Sequence, residues 1–311
     1  MRTLITGVSG FVGEYLAEYL LTKNVEVHGT VKDKNISSYN NIKTHKMDIT
    51  NRQQVAEVIT EVKPDCIFHL IAQSSAAYSW KHPQLTINVN TIGTINLLES
   101  IRETGLNPRL LLVGSSEEYG FVKPEDIPIK EEQELRPGNP YAVSKIAQNM
   151  MGKVYQRAYD MDIIMIRAFN HIGPKQSPTF VVSDFAKRIA EIEKGKREPV
   201  LMVGNLEAER DFTDVRDIVR AYYELFKKGE KGEIYNVGSG KSYRIQYILD
   251  ILLSLSTVDI EIKTDPNRLR PSDVPILRCD NTKLVNLTAW KPRYTIEQTL
   301  RDVLNYWRET V

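Results

Sequence analysis

The sequence lacks an excess of charge of either sign. Its 311 residues carry 41 Lys and Arg against 40 Asp and Glu, which leaves a formal net charge of +1. A chain so balanced has no general field for binding a polyanion, and we therefore expect no nucleic-acid partner. A small phosphorylated ligand stays open, because a few well-placed arginines are enough to bind it.

Cysteines and long apolar runs are scarce as well. The sequence has only Cys66 and Cys279, without a C-x-x-C pair, which argues against a disulfide framework and a zinc site, so no metal is expected. No apolar run approaches the length of a membrane span, so no membrane partner is expected. The first strand pattern begins at residue 2, which leaves no room for a signal peptide, and the sequence predicts a cytoplasmic protein.

What the sequence does contain is a regular alternation of short apolar runs with helix-length segments. The runs are "RTLITG", "VEVHGT", "DCIFHLI", "RLLLVGS" and "MDIIMIR", and helical patterns between them cover 11–23, 51–62, 84–104 and 139–159. This alternation predicts βαβ units and a parallel sheet covered on both faces. Thr50 and Gln53 predict a capping box before the second helix. The predicted fold class is α/β, a Rossmann-type doubly wound parallel sheet with a smaller mixed α/β domain.

The alternation changes after Asn170. A Pro- and Gly-rich stretch follows, and the tail beyond 239 mixes helices, a strand and a Pro- and Arg-containing loop, whereas the helix 214–228 and the strand "EIYNVG" can rejoin the sheet. We predict a dinucleotide-binding domain formed by residues 1–168 and 210–238. Residues 169–209 and 239–311 form the second domain.

The first strand leads into "GVSGFVG", in which Gly7, Gly10 and Gly13 are spaced GxxGxxG. Glycine permits a tight turn and close backbone approach, and the following helix offers free N–H groups to a pyrophosphate. Such glycines can also serve helix–strand packing alone. Their place between a strand and an amphipathic helix is the context that a dinucleotide site requires, and it predicts dinucleotide binding.

The end of the second strand bears on the choice of cofactor. An acidic residue there would bond the ribose hydroxyls of NAD, but this strand ends "GTVKDK". Lys32 or Lys34 can meet a 2′-phosphate, although Asp33 lies between them and loop lysines are commonly only solvated. We expect NADP(H) in preference to NAD(H). Asp48, in "KMDIT", either bonds adenine or forms an Asx turn.

The stretch "NPYAVSK" places Tyr141 and Lys145 four residues apart, on one side of a helix. A nearby ammonium favours the phenolate and lowers the tyrosine pKa, which would make Tyr141 a usable acid or base. Ser115 or Ser116, at the end of a strand, can hold a substrate oxygen at the same point. The structural alternative is a packed tyrosine beside a lysine that reaches solvent.

With these motifs the chain resembles the extended short-chain dehydrogenase/reductases that act on nucleotide sugars. The resemblance covers essentially the whole chain and includes "TGVSGFVG", "HLIAQSS", "NVNTIGT", "GSSEEYG", "PYAVSK", "IRAFNHIGP", "RDFTDVRDIV", "NVGSG" and "RLRPSDVP". It implies that the second domain binds a nucleotide sugar. It also implies a homodimer formed through the helices 84–104 and 139–159.

The resemblance further implies roles for individual residues. Catalytic roles are implied for Ser115, Tyr141, Lys145 and Glu117. Cofactor binding is implied for Gly7, Gly10, Phe11, Val12, Gly13, Lys32, Asp48, Ile49, Leu70, Ala72 and Lys145. Substrate binding is implied for Ser116, Asn170, Arg210, Arg270 and Asp273. Surface ion pairing is the expectation for Arg216 and Asp217, and loop packing for His171.

Three reactions share this scaffold and give different roles to Glu117. A 4,6-dehydratase oxidises C4, removes water across C5–C6 with a glutamate base and returns hydride to C6. A 4-epimerase returns hydride to the other face of C4, and a 4-keto reductase only delivers hydride to C4 while the tyrosine gives the proton. Glu117 falls on the dehydratase glutamate, which is evidence for dehydration.

Other segments favour reduction. The chain has "GFVG" and "RDFTDV" where GDP-mannose 4,6-dehydratases usually show "GQDG" and "RDWGHA". A serine precedes Glu117, whereas dehydratases specific for dTDP-glucose carry an Asp–Glu pair. The combination is most similar to bacterial GDP-6-deoxy-4-keto-mannose reductases, which make GDP-rhamnose. We expect this reduction, with a GDP-linked substrate and Glu117 bonding a sugar hydroxyl; a dehydratase, an epimerase and a non-catalytic dinucleotide sensor are the alternatives.

Overall fold

The structure is a computed structural model that describes residues 1–32, 42–268 and 274–311. In this part of the chain the strands are Arg2–Thr6 (β1), Glu26–Val31 (β2), Lys43–Lys46 (β3), Cys66–His69 (β4), Arg109–Val113 (β5), Ile163–Ala168 (β6), Asn170–Ile172 (β7), Val200–Val203 (β8), Glu209–Asp214 (β9), Ile234–Val237 (β10), Ser242–Arg244 (β11), Glu261–Thr264 (β12) and Ile276–Leu277 (β13). The α-helices are Phe11–Leu21 (α1), Arg52–Val62 (α2), Ala76–Lys81 (α3), Pro83–Ile87 (α4), Gly93–Thr104 (α5), Pro140–Tyr159 (α6), Val181–Glu193 (α7), Val215–Lys228 (α8), Ile245–Ser254 (α9), Thr282–Thr288 (α10) and Ile296–Thr310 (α11).

The central sheet of the described chain has seven strands in the order β3–β2–β1–β4–β5–β6–β10. Every neighbouring pair in it is parallel. The chain winds outward from β1 in one direction through β2 and β3, and in the other from β4 onward. This reversal between β1 and β4 is the switch point of a doubly wound sheet, where such folds place their ligands. The predicted parallel Rossmann-type sheet is confirmed.

Helices cover both faces of this sheet, as the apolar runs predict. On one face α1, α8 and α10 pack over a core that includes Leu16, Leu20 and Tyr222. On the other face α2, α5 and α6 enclose a second core that includes Val58 and Leu98. Because both faces are covered, the inner strands β4 and β6 are buried along their whole length, whereas the edge strand β3 is mostly exposed.

A smaller unit forms a separate hydrophobic core. Helices α7, α9 and α11 enclose side chains such as Ile189, Leu249, Leu304 and Trp307, all at most 8% exposed. Strand β9 pairs with β7, β11 and β13, and β8 pairs with β12, so these strands lie outside the central sheet. Helix α8 follows β9 directly and packs back onto the central sheet, which ties the two units together.

Two local predictions are corrected. The helix cap before α2 is Asn51, whose side chain accepts from the Gln54 N–H, and Thr50 instead donates to Asp48. The capping box predicted at Thr50 was therefore wrong by one residue. The long helix predicted over 84–104 contains a π-helical turn at Asn88–Ile92 between α4 and α5. That turn directs Asn90 inward, where its amide bonds Gln73 and Ser144.

Within the described ranges, none of the helices combines the length and the apolar character that a bilayer span needs. The same residues contain no group of three or more His, Cys, Asp or Glu side chains arranged to hold a metal ion. Both cysteines are buried free thiols.

Candidate active site

The carboxyl ends of the central strands open into a cavity of about 320 Å³. Its walls come from the turn before α1, the loops after β4 and β5, the start of α6 and the segment around β7. The residues with predicted functions that line it are Gly7, Gly10, Phe11, Val12, Gly13, Leu70, Ala72, Ser115, Ser116, Glu117, Tyr141, Lys145 and Asn170. The cavity thus brings together residues that lie as far apart in the sequence as Gly7 and Asn170.

The glycine turn has the geometry of a pyrophosphate cradle. Gly7 has φ +76°, which favours glycine, and a Cβ on Gly13 would lie 2.4 Å from the Gly7 carbonyl oxygen. Helix α1 begins at Gly10 without a side-chain cap, so its first N–H groups are available to an anion. These observations fit a bound dinucleotide.

Buried hydroxyls and a histidine hold this turn in place. Thr30 Oγ1 accepts from the Gly7 N–H at 3.0 Å, and Thr6 Oγ1 accepts from the Leu70 N–H at 3.1 Å. His69 bridges Thr6 and Thr94 at 2.8 and 3.1 Å. Burial lowers the pKa of His69 to about 3, so the ring is neutral and needs no counter-ion. The sequence reasoning missed this support, because its members lie on four separate elements.

The predicted adenosine-end residues lie at the same sheet edge but outside the cavity wall. Lys32 Nζ pairs with Asp48 Oδ2 at 3.0 Å, and 72% of the Lys32 side chain is exposed. Burial would raise the pKa of Asp48, but hydrogen bonds from Thr50 and Lys32 lower it. The Thr50 bonds are those of the Asx turn foreseen as the alternative for Asp48. The side chain of Ile49 packs in the core, so only its backbone can face a ligand.

Tyr141 and Ser115 are two buried hydroxyl residues that both line the cavity. Each is 8% exposed. Burial raises the pKa of Tyr141, the nearby Ser115 hydroxyl opposes this, and the charges of Glu117 and Glu118 add to it. The lowering of the pKa that the Tyr-Lys spacing predicted is not found. Lys145 Nζ instead donates to the Val113 carbonyl at 2.8 Å and to Gln148 Oε1 at 2.9 Å.

The two adjacent glutamates of "GSSEEYG" face opposite ways. Glu117 lines the cavity, where Asn139 Nδ2 donates to its Oε2 at 2.9 Å. Glu118 is fully buried and pairs with Arg167 at 3.0 Å. Both sit in one short 3₁₀ turn capped by Ser115. The sequence reasoning assigned no role to Glu118 or Arg167.

The predicted substrate residues are only partly gathered. Asn170 lines the cavity next to His171, whose ring stacks on Phe11 as a packing residue. Arg210 lies outside the cavity wall, 8% exposed, and donates to the Val274 carbonyl at 2.7 Å. Arg270 and Asp273 lie outside the described residues. Gln176, Phe180 and Phe212 also line the cavity, and the sequence analysis assigned no role to any of them.

Arg216 and Asp217 form ion pairs, as expected, but Asp217 does so in the interior rather than at the surface. Arg216 pairs with Asp214 and Asp302 at 2.7 Å each. Asp217 is fully buried, pairs with Arg220 and accepts from the backbone N–H groups of 293 and 294. Both residues therefore fasten α8 to α11 and its preceding loop.

Comparison with known proteins places the chain among nucleotide-sugar enzymes. Residues 4–303 match the family described as GDP-mannose 4,6 dehydratase. The chain belongs to this family. The predicted membership in the extended short-chain dehydrogenase/reductases that act on nucleotide sugars is confirmed.

Two relatives within the family differ in the activity that their names give. GDP-6-deoxy-D-mannose reductase of Pseudomonas aeruginosa is 33% identical, over 100% of this chain and 98% of the relative. GDP-mannose 4,6-dehydratase of Vibrio cholerae is 29% identical, over 97% of this chain and 92% of the relative.

Solved structures agree with this placement. RMD from Pseudomonas aeruginosa complexed with NADPH superposes with a TM-score of 0.88 and 32% identity, covering 100% of this chain and 99% of the other. UDP-glucose 4-epimerase from Thermus thermophilus, in complex with NAD, gives a TM-score of 0.90 and 27% identity over 100% of both chains. These relatives bind a nicotinamide dinucleotide, and this family member has the matching fold.

Proposed function

We propose that the protein reduces the C4 keto group of GDP-6-deoxy-4-keto-D-mannose with NADPH and forms GDP-D-rhamnose. The observation that carries the proposal is the buried Ser115–Tyr141 pair beside Lys145, in the same cavity as the glycine cradle. The reductase relative at 33% identity over the full chain supports the choice of reaction.

The residues of the cavity suit a proton-donating role. Burial keeps Tyr141 protonated near neutral pH, so its hydroxyl can give a proton to an alkoxide developing at C4. Ser115 holds the same oxygen from a second side and stabilises the developing charge. Lys145 is anchored to the Val113 carbonyl, within reach of the cavity, and would bond the ribose of the cofactor. The dinucleotide, when bound, supplies the reducing equivalent.

NADPH is favoured by the ammonium of Lys32 at the end of β2, whereas Lys34, the other lysine predicted to meet a 2′-phosphate, lies outside the described residues. Lys32 is 72% exposed and pairs with Asp48 at 3.0 Å, so its ammonium is accessible to a 2′-phosphate. The structure of RMD contains NADPH, which supports the same choice, although other structural relatives contain NAD.

The sugar nucleotide would bind between the domain of residues 1–168 with 210–238 and that of residues 169–209 with 239–311. Asn170 lines the cavity at this boundary and would bond the diphosphate. Arg210, with Arg270 and Asp273, would hold the nucleoside end. A GDP-linked substrate is favoured by the names of the relatives at 33% and 29% identity.

Dehydration of GDP-mannose is the second candidate, and Glu117 favours it. Its carboxylate lines the cavity and is oriented by Asn139, an arrangement that suits a base as well as a sugar-hydroxyl acceptor. In the reductase, Glu117 would only bind a hydroxyl.

The decisive experiment incubates the purified protein with NADPH and GDP-6-deoxy-4-keto-mannose and follows NADPH absorbance, with GDP-mannose as the parallel substrate. Stoichiometric oxidation that yields a 6-deoxy sugar is expected. Conversion of GDP-mannose to a keto sugar without net oxidation would replace the reductase by the dehydratase. Glu117→Gln then separates the two roles. A dehydratase would lose its base and slow severely, whereas a reductase would only have a weaker contact to a sugar hydroxyl and slow mildly.

We also propose that the protein is a homodimer. Leu85, Ile92, Met150 and Val154 are between 43% and 55% exposed and lie on the helices from α4 to α6. Long apolar side chains collected on neighbouring helices favour burial against another surface. A second copy of the chain would cover them through the same helices, as a two-fold interface does.

A further inference from the structure

A charged pair lies beneath the catalytic loop without touching the cavity. Glu118 is 0% exposed and Arg167 is 3% exposed, and their side chains meet at 3.0 Å. Neither residue lines the cavity. A buried ion pair costs desolvation energy that its attraction only partly returns, so it is a poor device for stability alone. The contacts of the two side chains therefore indicate a role other than stability.

Glu118 holds the backbone of Ser115. The Ser115 N–H donates to Glu118 Oε1 at 2.9 Å, and Asn149 Nδ2 on α6 donates to both carboxylate oxygens at 2.8 and 3.1 Å. Gly114 makes room for this arrangement, since a Cβ there would lie 2.2 Å from Glu118 Oε1. The carboxylate thus connects the loop that carries Ser115 to the helix that carries Tyr141 and Lys145.

Arg167 fixes the other side of the carboxylate. Besides Glu118, its guanidinium donates to the Tyr119 hydroxyl at 3.1 Å and to the Glu131 carbonyl at 2.9 Å. The Tyr119 hydroxyl in turn donates to Asn236 Oδ1 on β10 at 2.6 Å. Glu118 therefore receives bonds from β6, from α6 and from its own loop, and has no freedom to rotate.

We propose that Glu118 is a positioning residue, held by Arg167, that fixes Ser115 in its place in the cavity wall that Tyr141 also lines. The functional part of this inference rests on the proposed reductase activity, because it gives Ser115 a role in the reaction. The structural part is independent of that activity. It concerns the Ser115 backbone, which is ordered by the Glu118 carboxylate outside the cavity wall. A displacement of a catalytic group by about 1 Å can cost roughly 100-fold in rate.

The test is the double variant Glu118→Met/Arg167→Met. Replacing both members of a buried pair by apolar side chains of similar size is commonly neutral for stability. We expect a folded protein with a lower melting temperature, because the buried Ser115 N–H and Asn149 Nδ2 lose their acceptor, and with an unchanged dissociation constant for NADPH. Its kcat should fall by about 100-fold, in line with a misplaced Ser115. Hydrogen–deuterium exchange should become faster in the segment 113–120 and stay unchanged in α2. Wild-type kcat together with wild-type exchange would overturn the proposal.

Glu118→Gln is the second variant and decides the matter if the double variant does not fold. The amide keeps the size of the side chain but brings an N–H group against donors that need an acceptor. A lower kcat with unchanged NADPH binding and faster exchange at 113–120 is expected. Wild-type values for both would contradict the role.

Glu131→Gln is the matched control. Its carboxylate belongs to the same polar network, where Oε1 accepts from the Asn236 N–H at 2.9 Å, but it makes no contact with Ser115. This variant should retain wild-type kcat; a loss equal to that of Glu118→Gln would mean that the network acts only through stability. If the wild-type protein reduces no keto sugar, the proposed function fails, and the exchange measurement still tests the positioning of Ser115.

Discussion

At the scale of single residues, burial sets the chemistry of the cavity more than neighbouring charge does. Tyr141 and Lys145 share one face of α6, yet the pKa of the phenol is raised and that of the ammonium is lowered, in both cases because water is excluded. A neutral tyrosine is an acid rather than a base near neutral pH. This state suits a step in which the substrate oxygen gains a proton.

Tyr141→Phe should therefore abolish turnover while NADPH still binds. Loss of a general acid is expected to lower kcat by about 100- to 10,000-fold. Steady-state rates and NADPH titration by protein fluorescence measure the two effects. Tyr155→Phe, on the same helix but bonded to Glu99, is the control and should keep its activity. A Tyr141→Phe variant that loses binding but not rate would exclude the acid role.

The rate should also depend on pH through Lys145. Burial lowers the pKa of Lys145 to about 8, and the charge of Glu118 opposes the shift. The ammonium is present below this pH and is lost as the pH rises through it. Because kcat/KM reports groups of the free enzyme, kcat/KM for NADPH should fall above about pH 8. Lys145→Met should have a low kcat/KM that no longer falls above about pH 8. If the fall in kcat/KM persists in the variant, another group causes it.

Lys32 gives a prediction for cofactor choice. Lys32→Ala removes the accessible ammonium beside Asp48 and leaves the carboxylate in place. We expect KM for NADPH to rise by about 10-fold, the value of one exposed charged contact to phosphate, and KM for NADH to stay constant or fall. Equal effects on both cofactors would place the 2′-phosphate elsewhere.

At the scale of elements, the starts of α1 and α6 and the turn after β5 deliver the functional groups. Helix α6 begins at Asn139, whose side chain both caps the helix and bonds Glu117. Helix α1 begins without a side-chain cap directly after the glycine turn. At α1 the free N–H groups of the first turn are available to a ligand. At α6 the capping residue Asn139 orients the Glu117 side chain.

Gly13→Ala tests the cradle. Alanine in a helix is intrinsically favoured over glycine by about 1 kcal/mol, but here a Cβ meets the backbone oxygens of Gly7 and Val8 at 2.4 and 2.7 Å. We expect a loss of about 1–3 kcal/mol in the free energy of unfolding and weaker NADPH binding. Denaturant unfolding and NADPH titration measure both.

Gly152→Ala in α6 is the matched helical control. Its Cβ would meet the end of the flexible Leu112 side chain, at 2.5 Å, rather than backbone. The variant should bind NADPH normally. If Gly13→Ala bound NADPH as well as Gly152→Ala does, the cradle would not require glycine at that position.

At the scale of the whole molecule, two cores meet at the cavity and an apolar helical face stays uncovered. The large sheet carries the residues predicted to bind the cofactor, and the small unit around α7, α9 and α11 encloses its own core. The proposed dimer uses the outer face of α4 to α6, away from the small unit.

Val154→Asp should disrupt that dimer. Val154 is 55% exposed on α6, and a carboxylate buried there in an apolar interface would lose its hydration. Light scattering coupled to size exclusion should show a dimer for the wild type and a monomer for the variant. Val258→Asp, 40% exposed outside these helices, should remain a dimer. A monomeric wild type would refute the proposal.

The sequence by itself determined the fold class and most of the cavity. Strands buried on both faces must be apolar throughout, so their runs are visible in the letters, and the glycine turn and the Tyr141–Lys145 spacing are local features. Residues such as Ser115, Asn170 and Leu70 follow strand ends, and parallel strands end at one edge, so their meeting was foreseeable.

Only the tertiary structure decided matters that depend on packing between distant elements. The inward turn of Asn90 and the pairing of β9 in the small sheet each involve partners remote in sequence. The same holds for the two adjacent glutamates. Glu117 faces the cavity and Glu118 the core because Arg167 on β6 and Asn149 on α6 lie behind the loop. A buried carboxylate needs such donors, and their position exists only once the sheet and the helix have packed.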